Sequence, residues 1–209
     1  MRLPISMSAL LLLALARAAP GNGGRATPPQ VPAHTEPDGD GVVVGSGPVR
    51  VDAYIDFQCP FCRAFEMSSG PAIRAMITEG LITLVVHPMD FLDEASTNHY
   101  SSRAASASGC ASDAGGFMPY ARALFVNQPP EGGPGLTDEQ LVELGATVDL
   151  TEPAFAGCVP QHPYVPWTDH VTQQALARGV SGTPTTLVEG RPVPANARAI
   201  AAAVALVPR

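Results

Sequence analysis

The stretch Val51-Asp52-Ala53-Tyr54-Ile55-Asp56-Phe57-Gln58-Cys59-Pro60-Phe61-Cys62-Arg63-Ala64-Phe65 constrains the fold more than any other part of this chain. Apolar residues dominate up to Phe57, two cysteines follow three positions apart, and an apolar-periodic run begins at a proline. A strand feeding directly into a helix satisfies all three observations. Pro60 suits the first helical position, where its missing N–H loses no hydrogen bond and its fixed φ matches the helix. Cys59 then stands at the helix N-terminus, where free backbone N–H groups and the positive end of the helix dipole favour thiolate over thiol. Cys62 lies one turn deeper, shielded, as the partner of Cys59 in a redox pair. Half of a zinc site and an inert disulfide are the competing readings of Cys-x-x-Cys. Structural zinc needs a second close-spaced pair of ligands. Cys110 and Cys158 are each solitary, so no metal is expected.

A second segment, Val180-Ser181-Gly182-Thr183-Pro184-Thr185-Thr186-Leu187-Val188-Glu189-Gly190, places a proline just before a short β-branched run that ends in glycine. This pattern suits a turn entering a strand. The isomer of the Thr183–Pro184 bond stays open at this level, since few X-Pro bonds are cis.

Taken together, Asp56 to Glu66 and Gly179 to Thr185 resemble the DsbA-like branch of the thioredoxin-fold thiol:disulfide oxidoreductases, and the likeness runs from about Val42 to Val207. The resemblance implies an α/β thioredoxin fold spanning 42–209, with an inserted all-helical subdomain at about 94–178. It implies that Cys59 and Cys62 form the catalytic redox pair, supported by Pro60 and Phe61 between them. It further implies that Pro184 is cis and sits against the pair, and that the backbone at Thr183 binds an extended substrate chain. No cofactor is called for. The partners implied are reduced or misoxidised exported polypeptides and a membrane-bound reoxidising protein. One departure stands out: members of the family commonly carry a buried acid six residues before the first cysteine, and here that position is Ala53. Asp52 is next door but belongs to the opposite strand face.

The N-terminus supports export. Residues Met1 to Ala19 carry Arg2, an apolar core around Ala9 to Ala16 and small residues at Ala16 and Ala18, the plan of a secretory signal cleaved near Ala18 or Ala19. The core is shorter than the ~20 residues of a spanning helix; if uncleaved, it would act as a membrane anchor. No cysteine follows it, which argues against a lipid-modified N-terminus. Export leads to the periplasm or another extracytoplasmic part of the cell envelope, where disulfides persist. Pro20 to Gly41 is rich in Gly, Pro, Thr and Asp without apolar periodicity and reads as a flexible tether, with His34 a solvated residue. The remaining ~170 residues suffice for one domain with its own core. Formal net charge is −7, and more negative once Arg2 and Arg17 leave with the signal, which disfavours nucleic acid as a partner. All 12 basic residues are arginine, a bias of composition and not a functional signal.

Further along, Val49 to Phe57 is the expected central strand. The helix from Cys59 meets Ser68-Ser69-Gly70-Pro71, which predicts a kink or a break into two short helices before Gly80. Leu81 to Val86 reads as a strand buried on both faces, ended by His87-Pro88-Met89. His87 there is a structural residue by this reading, with tuning of the redox site as the alternative. Between Glu94 and Arg178 the pattern turns helical. Asn98 to Val126 forms one or two helices, Thr137 opens another with a capping box, and Glu152–Val159 and Val165–Arg178 complete the set. Cys110 and Cys158 both fall here. Solitary placement and an exported context favour a structural disulfide over a second redox pair. Trp167, Phe117, Tyr120 and Phe125 are core or groove-lining residues. A hairpin about Glu189-Gly190 and an Ala-rich helix from Ala195 to Leu206 close the chain.

The function expected is that of an exported oxidase donating the Cys59–Cys62 disulfide. A reductase or isomerase shares every motif. A non-catalytic peptide-binding chaperone module, with the cysteines as a static bridge, is the alternative from a different class.

Overall fold

A mixed sheet of five strands, among the residues described, carries the Cys-x-x-Cys motif just past the end of its central strand in the computed structural model, which covers residue 28 and residues 30–208. The elements run β1 (Val42–Val44), β2 (Val49–Ile55), α1 (Pro60–Thr78), β3 (Ile82–Pro88), α2 (Tyr100–Asp113), α3 (Phe117–Val126), α4 (Asp138–Ala146), α5 (Pro153–Cys158), α6 (Val165–Ala177), β4 (Thr185–Val188), β5 (Arg191–Val193) and α7 (Ala197–Ala205). Strand order is β1-β3-β2-β4-β5. β2 and β3 are parallel and joined through α1, while the other pairings are antiparallel. This is the thioredoxin fold, with helices α2 to α6 inserted between β3 and β4. The signal expected at 1–19 lies outside the described residues, and no described helix is long and apolar enough to cross a membrane.

Alternation along β2 sorts its side chains to two faces. Ala53 and Ile55 line an apolar cleft with Phe65 and Ile73 of α1, Leu84 of β3 and Phe125 of α3. Asp52 and Tyr54 point the other way, toward His87. Of the two outcomes the sequence allows, one helix or two short ones, α1 takes the first: Pro60–Thr78 is a single helix with Pro71 inside it. Packing outweighs the lost backbone bond. Ser69, Gly70, Ile73 and Met76 are buried, and the Ser69 hydroxyl accepts the N–H of Ala197 at the start of α7. β3 likewise continues through His87 and Pro88, where the sequence predicted its end.

The tether expected over 20–41 needs correction in its second half. Residues 31–41 are tied to the domain at several points. Ala33 donates to Asp113 Oδ1 at 2.7 Å and accepts from the Ser112 hydroxyl at 2.6 Å. Trp167, wholly buried in α6, donates its indole N–H to Gly39 O at 2.7 Å. Glu36 pairs with Arg50 at 2.7 Å, and Asp40 with Arg178. Gly41 has φ +101°, and a Cβ there would come within 2.8 Å of His87 Nδ1 and Val86 O, so the turn demands glycine. His34 is exposed, as expected, but its carbonyl accepts the N–H of Val43 and lengthens the β1 edge.

His87 has a structural role. Fully buried, it stacks on Tyr54 with ring centroids 4.1 Å apart and places Nδ1 3.3 Å from Asp40 and Nε2 3.0 Å from Asp52. The tie joins β2, β3 and the N-terminal segment through one ring.

In the insert, α2 is buried almost throughout and built from Ser, Ala and Gly, whose small side chains let neighbouring helices close in on it. Cys110 in α2 and Cys158 at the end of α5 are joined by a disulfide across 48 residues. α4 opens with the expected capping box: Thr137 Oγ1 accepts from Gln140 N at 3.3 Å, and Thr137 N donates to Gln140 Oε1 at 2.9 Å.

Two predictions arise from these ties. Cys110→Ala releases the α2–α5 link and lowers unfolding free energy by up to about 4 kcal/mol on the chain-entropy model, with disulfide-exchange turnover retained. Denaturant titration beside a turnover assay checks this, and loss of turnover at unchanged stability contradicts it. The second concerns acid. Burial opposes ionisation of Asp52, but hydrogen bonds from His87 and Arg50 outweigh it and hold the carboxyl below its usual range. Its stabilising contribution is therefore complete above the usual carboxylate range and is lost as pH falls through the lowered value. Asp52→Asn flattens that acid limb in a plot of unfolding midpoint against pH.

Candidate active site

The chain leaves β2 at Ile55, turns through Asp56-Phe57-Gln58, and enters α1 at Pro60 with Cys59 as the N-cap. Cys59 has extended backbone angles, φ −71° and ψ 119°, and no side-chain capping bond. Its carbonyl begins the helix by accepting from Cys62 N at 3.1 Å and Arg63 N at 3.2 Å. Cys59 and Cys62 are both free thiols. Cys59 keeps 5% exposure where Cys62 has none, so an incoming sulfur meets Cys59 first. Phe61 between them is 74% exposed and forms an apolar prow beside the pair.

From the far side of the sheet order comes the turn before β4. The Thr183–Pro184 bond is cis, and Thr183 O lies 3.3 Å from Cys59 Sγ. Residues 124 positions apart thus face each other at the start of α1. The two motifs singled out in the sequence meet at one sulfur.

The electrostatics of the two thiols diverge. Cys59 is lowered to about 6, chiefly by a hydrogen bond from the Cys62 thiol. Burial opposes this, and the Thr183 side chain and the backbone N–H groups of Cys62 and Phe61 add to it. Thr183 acts both ways, since its carbonyl accepts only from the protonated thiol. The helix N-terminus is thus one contributor, smaller than the neighbouring thiol. Burial pushes Cys62 far above the ordinary thiol range, and the hydrogen bond it gives Cys59 pushes it further. At neutral pH one sulfur is a thiolate and the other keeps its proton. Such a pair supports thiol–disulfide exchange, in which the acidic sulfur attacks or leaves and the protonated one resolves.

A family model described as thioredoxin matches residues 38–205. The chain belongs to the thioredoxin family. Within it, this member is similar to DsbA of Mycobacterium tuberculosis, whose oxidised crystal structure is 31% identical, covers 73% of this chain and 84% of its own, and superposes with a TM-score of 0.65. The disulfide bond oxidoreductase DsbG of the same organism is 29% identical over 80% of this chain and 94% of its own, with a TM-score of 0.66. Among curated proteins, the serine/threonine-protein kinase PknE of M. tuberculosis is 33% identical over 129 residues. That match covers 57% of this chain and 23% of the kinase, so the chain spans less than a quarter of that relative's length. With its helical insert and its Cys59-Pro60-Phe61-Cys62 motif at the start of α1, this family member has the architecture of the DsbA-like thiol:disulfide oxidoreductases.

Ala53, where the family commonly places an acid, lines the mainly apolar cleft beneath α1. Position 53 supplies no carboxylate to it. The residue that sequence reasoning passed over is Asp56, three positions before Cys59 and fully buried. Oδ1 accepts from Gln58 N at 2.8 Å and from the Ser101 hydroxyl at 2.7 Å, and Oδ2 accepts from Leu92 N at 2.9 Å. Its own N–H points at Cys62 Sγ, 3.5 Å away. Burial pushes the carboxyl up to about 7; the hydrogen bonds oppose the rise, and the negative charge of Cys59 adds to it. A signal was present, because an acid closing an apolar strand needs buried donors. Its partners, Ser101 and Leu92, lie too far along the chain to be read from spacing.

The negative charge on Cys59 thus adds to the rise that burial gives the Asp56 carboxyl. Because the sulfur titrates near 6 and the carboxyl near 7, the carboxyl is still mostly protonated while Cys59 loses its proton. Asp56→Asn therefore leaves the Cys59 midpoint within roughly half a unit of its wild-type value, read from thiolate absorbance against pH. A shift of a full unit or more in either direction contradicts this order of ionisation.

Proposed function

We propose that this DsbA-like protein is an exported oxidase that donates the Cys59–Cys62 disulfide to other exported polypeptides. The observation that carries the reading is the contrast between the two sulfurs, Cys59 lowered to about 6 and Cys62 held protonated by burial. A stable Cys59 thiolate stabilises the reduced enzyme and makes its disulfide the more oxidising partner.

In the reaction, a substrate thiolate attacks Cys59 Sγ of the oxidised pair. The Cys59–Cys62 bond breaks, a mixed disulfide forms at Cys59, and Cys62 leaves as the thiol after taking up a proton. A second substrate thiolate then attacks the substrate sulfur of that mixed disulfide. Cys59 departs as the thiolate, the substrate holds a new disulfide, and the enzyme is left as the dithiol. Two electrons have passed from substrate to enzyme, and a membrane-bound reoxidising partner would remove them. The cis-Pro184 turn supports the same reading. Thr183 O at 3.3 Å from Cys59 Sγ puts the backbone of the turn before β4 beside the reacting sulfur, where an extended substrate chain would pair with it. Pro60 and Phe61 support the pair, the first by starting α1 and the second as an exposed apolar contact for the substrate. Export is supported by the signal-like residues 1–19 and by a structural disulfide in the insert.

The decisive measurement is the equilibrium redox potential of the Cys59/Cys62 pair, taken beside an assay of disulfide formation in a reduced, unfolded substrate. The oxidase reading expects a potential well above thioredoxin's, which is near −270 mV, and catalysed oxidation of the substrate. A thioredoxin-like potential with net reduction overturns it in favour of a reductase. Cys59→Ser should abolish turnover; full activity in that variant would place the protein with non-catalytic peptide-binding modules. Cys62→Ser should let mixed disulfides accumulate at Cys59, visible as higher-mass bands on a non-reducing gel.

A further inference from the structure

The loop that presents Cys59 is held from outside its own element. Gln128, two residues past the end of α3, donates its side-chain amide to two carbonyl oxygens, Phe57 O at 2.9 Å and Cys59 O at 3.0 Å. Those oxygens flank the turn between β2 and α1. Both amide hydrogens of Gln128 are used, and among the described residues no other side chain bonds to these two carbonyls. A reciprocal tie runs from α1 back to the insert: Arg63 Nε donates to Phe125 O at 3.0 Å. The redox turn and the end of α3 are therefore locked in register by three hydrogen bonds.

The position of these bonds gives them a chemical consequence. A carbonyl oxygen is the negative end of a dipole, and one near a thiolate disfavours it. The Cys59 carbonyl belongs to the same residue as the acidic sulfur and already accepts two helix N–H groups. Adding the Gln128 amide draws further negative density off that oxygen and fixes its direction, into the insert and along the start of α1. The Phe57 carbonyl is treated the same way two residues earlier. Without the amide the Phe57 oxygen loses its side-chain partner, the Cys59 oxygen keeps only the two helix N–H groups, and the loop that holds Cys59 Sγ against Thr183 loses its brace from the insert.

We propose that Gln128 is a positioning residue for the redox pair, bracing the Phe57–Cys59 turn from the helical insert so that the turn's carbonyl dipoles point away from the Cys59 sulfur. The inference rests on the thiol–disulfide exchange reading and deepens it. It gives the insert a part in setting the reactivity of the pair. Asn127, the neighbouring residue, serves as the contrast, because its amide donates only to Ala123 O within α3.

The test uses the full chain and the pH titration of Cys59, read by thiolate absorbance and by alkylation rate. Gln128→Leu keeps the bulk and removes both donors. It should raise the Cys59 midpoint by roughly half a unit to one unit, the equivalent of one modest hydrogen bond, and shift the redox potential of the pair to a less oxidising value. Gln128→Met keeps an unbranched side chain of similar length without the donors and without a new charge, and should raise the midpoint by a similar amount. Asn127→Ala should leave it in place. A merely structural role predicts lower thermal stability with the midpoint unmoved in both Gln128 variants, and that result overturns the proposal. If Gln128→Leu fails to fold, Gln128→Met decides alone. A wild-type Cys59 that titrates like free cysteine would instead overturn the exchange reading itself.

Discussion

Cys59 serves two purposes at the point where β2 becomes α1: it caps a helix with its backbone and carries the reactive sulfur on its side chain. The rest of the structure depends on keeping that sulfur charged while nearly burying it. Desolvation works against a buried thiolate, and the offset comes from a thiol donor at Cys62, the Thr183 side chain and the N–H groups that open α1. Each donor comes with a constraint. Cys62 must be sealed so that it stays protonated, Thr183 must be delivered by the turn before β4, and α1 must start at Pro60. The fold satisfies all three at one place, because parallel β2 and β3 leave α1 on one face and the antiparallel return of β4 brings Thr183 to the helix start.

Around this centre the helical insert acts as a frame. Ser101 from α2 and Leu92 from the loop before it hold Asp56, while Gln128 after α3 holds Phe57 and Cys59. The turn from Asp56 to Cys59 is thus gripped on both sides by residues that no strand contributes. Asp56 adds a charge whose protonation near neutral pH is coupled to the thiolate, in a chain that has alanine where the family commonly places its buried acid. On the opposite face of the sheet, His87 between Asp40 and Asp52 fastens the N-terminal segment to β2 and β3. The two faces thus divide the labour: apolar packing under α1 supports the redox helix, and a buried polar network under α6 closes the domain.

Much of this was legible in the sequence, and the legible parts share a property. The strand-to-helix junction at Cys59, the capping box at Thr137, the hairpin about Glu189-Gly190 and the helical character of the insert are all local. Spacing, capping chemistry and turn residues act over a few positions, and the chain states them directly. Pairing of the two motifs was legible only through the resemblance. Where local signals were ambiguous or misled, packing decided. Ser68-Ser69-Gly70-Pro71 allows either one helix or two, and burial of Ser69, Gly70 and Ile73 and the bond to Ala197 keep α1 whole. The Gly- and Pro-rich stretch before Gly41 reads as a tether, yet Trp167, Ser112 and Arg178 give its backbone and acids partners.

By itself, the sequence determined that two cysteines would share the start of a helix and that a proline turn would lead into a later strand, because propensity and capping are properties of neighbouring residues. Only the tertiary structure decided that Asp56 is paired with Ser101 and Leu92 and that Gln128 braces the turn. Burial and hydrogen-bond satisfaction belong to residues separated by tens of positions, and the acidity of a sulfur is set by whatever the folded chain brings within a few ångströms of it.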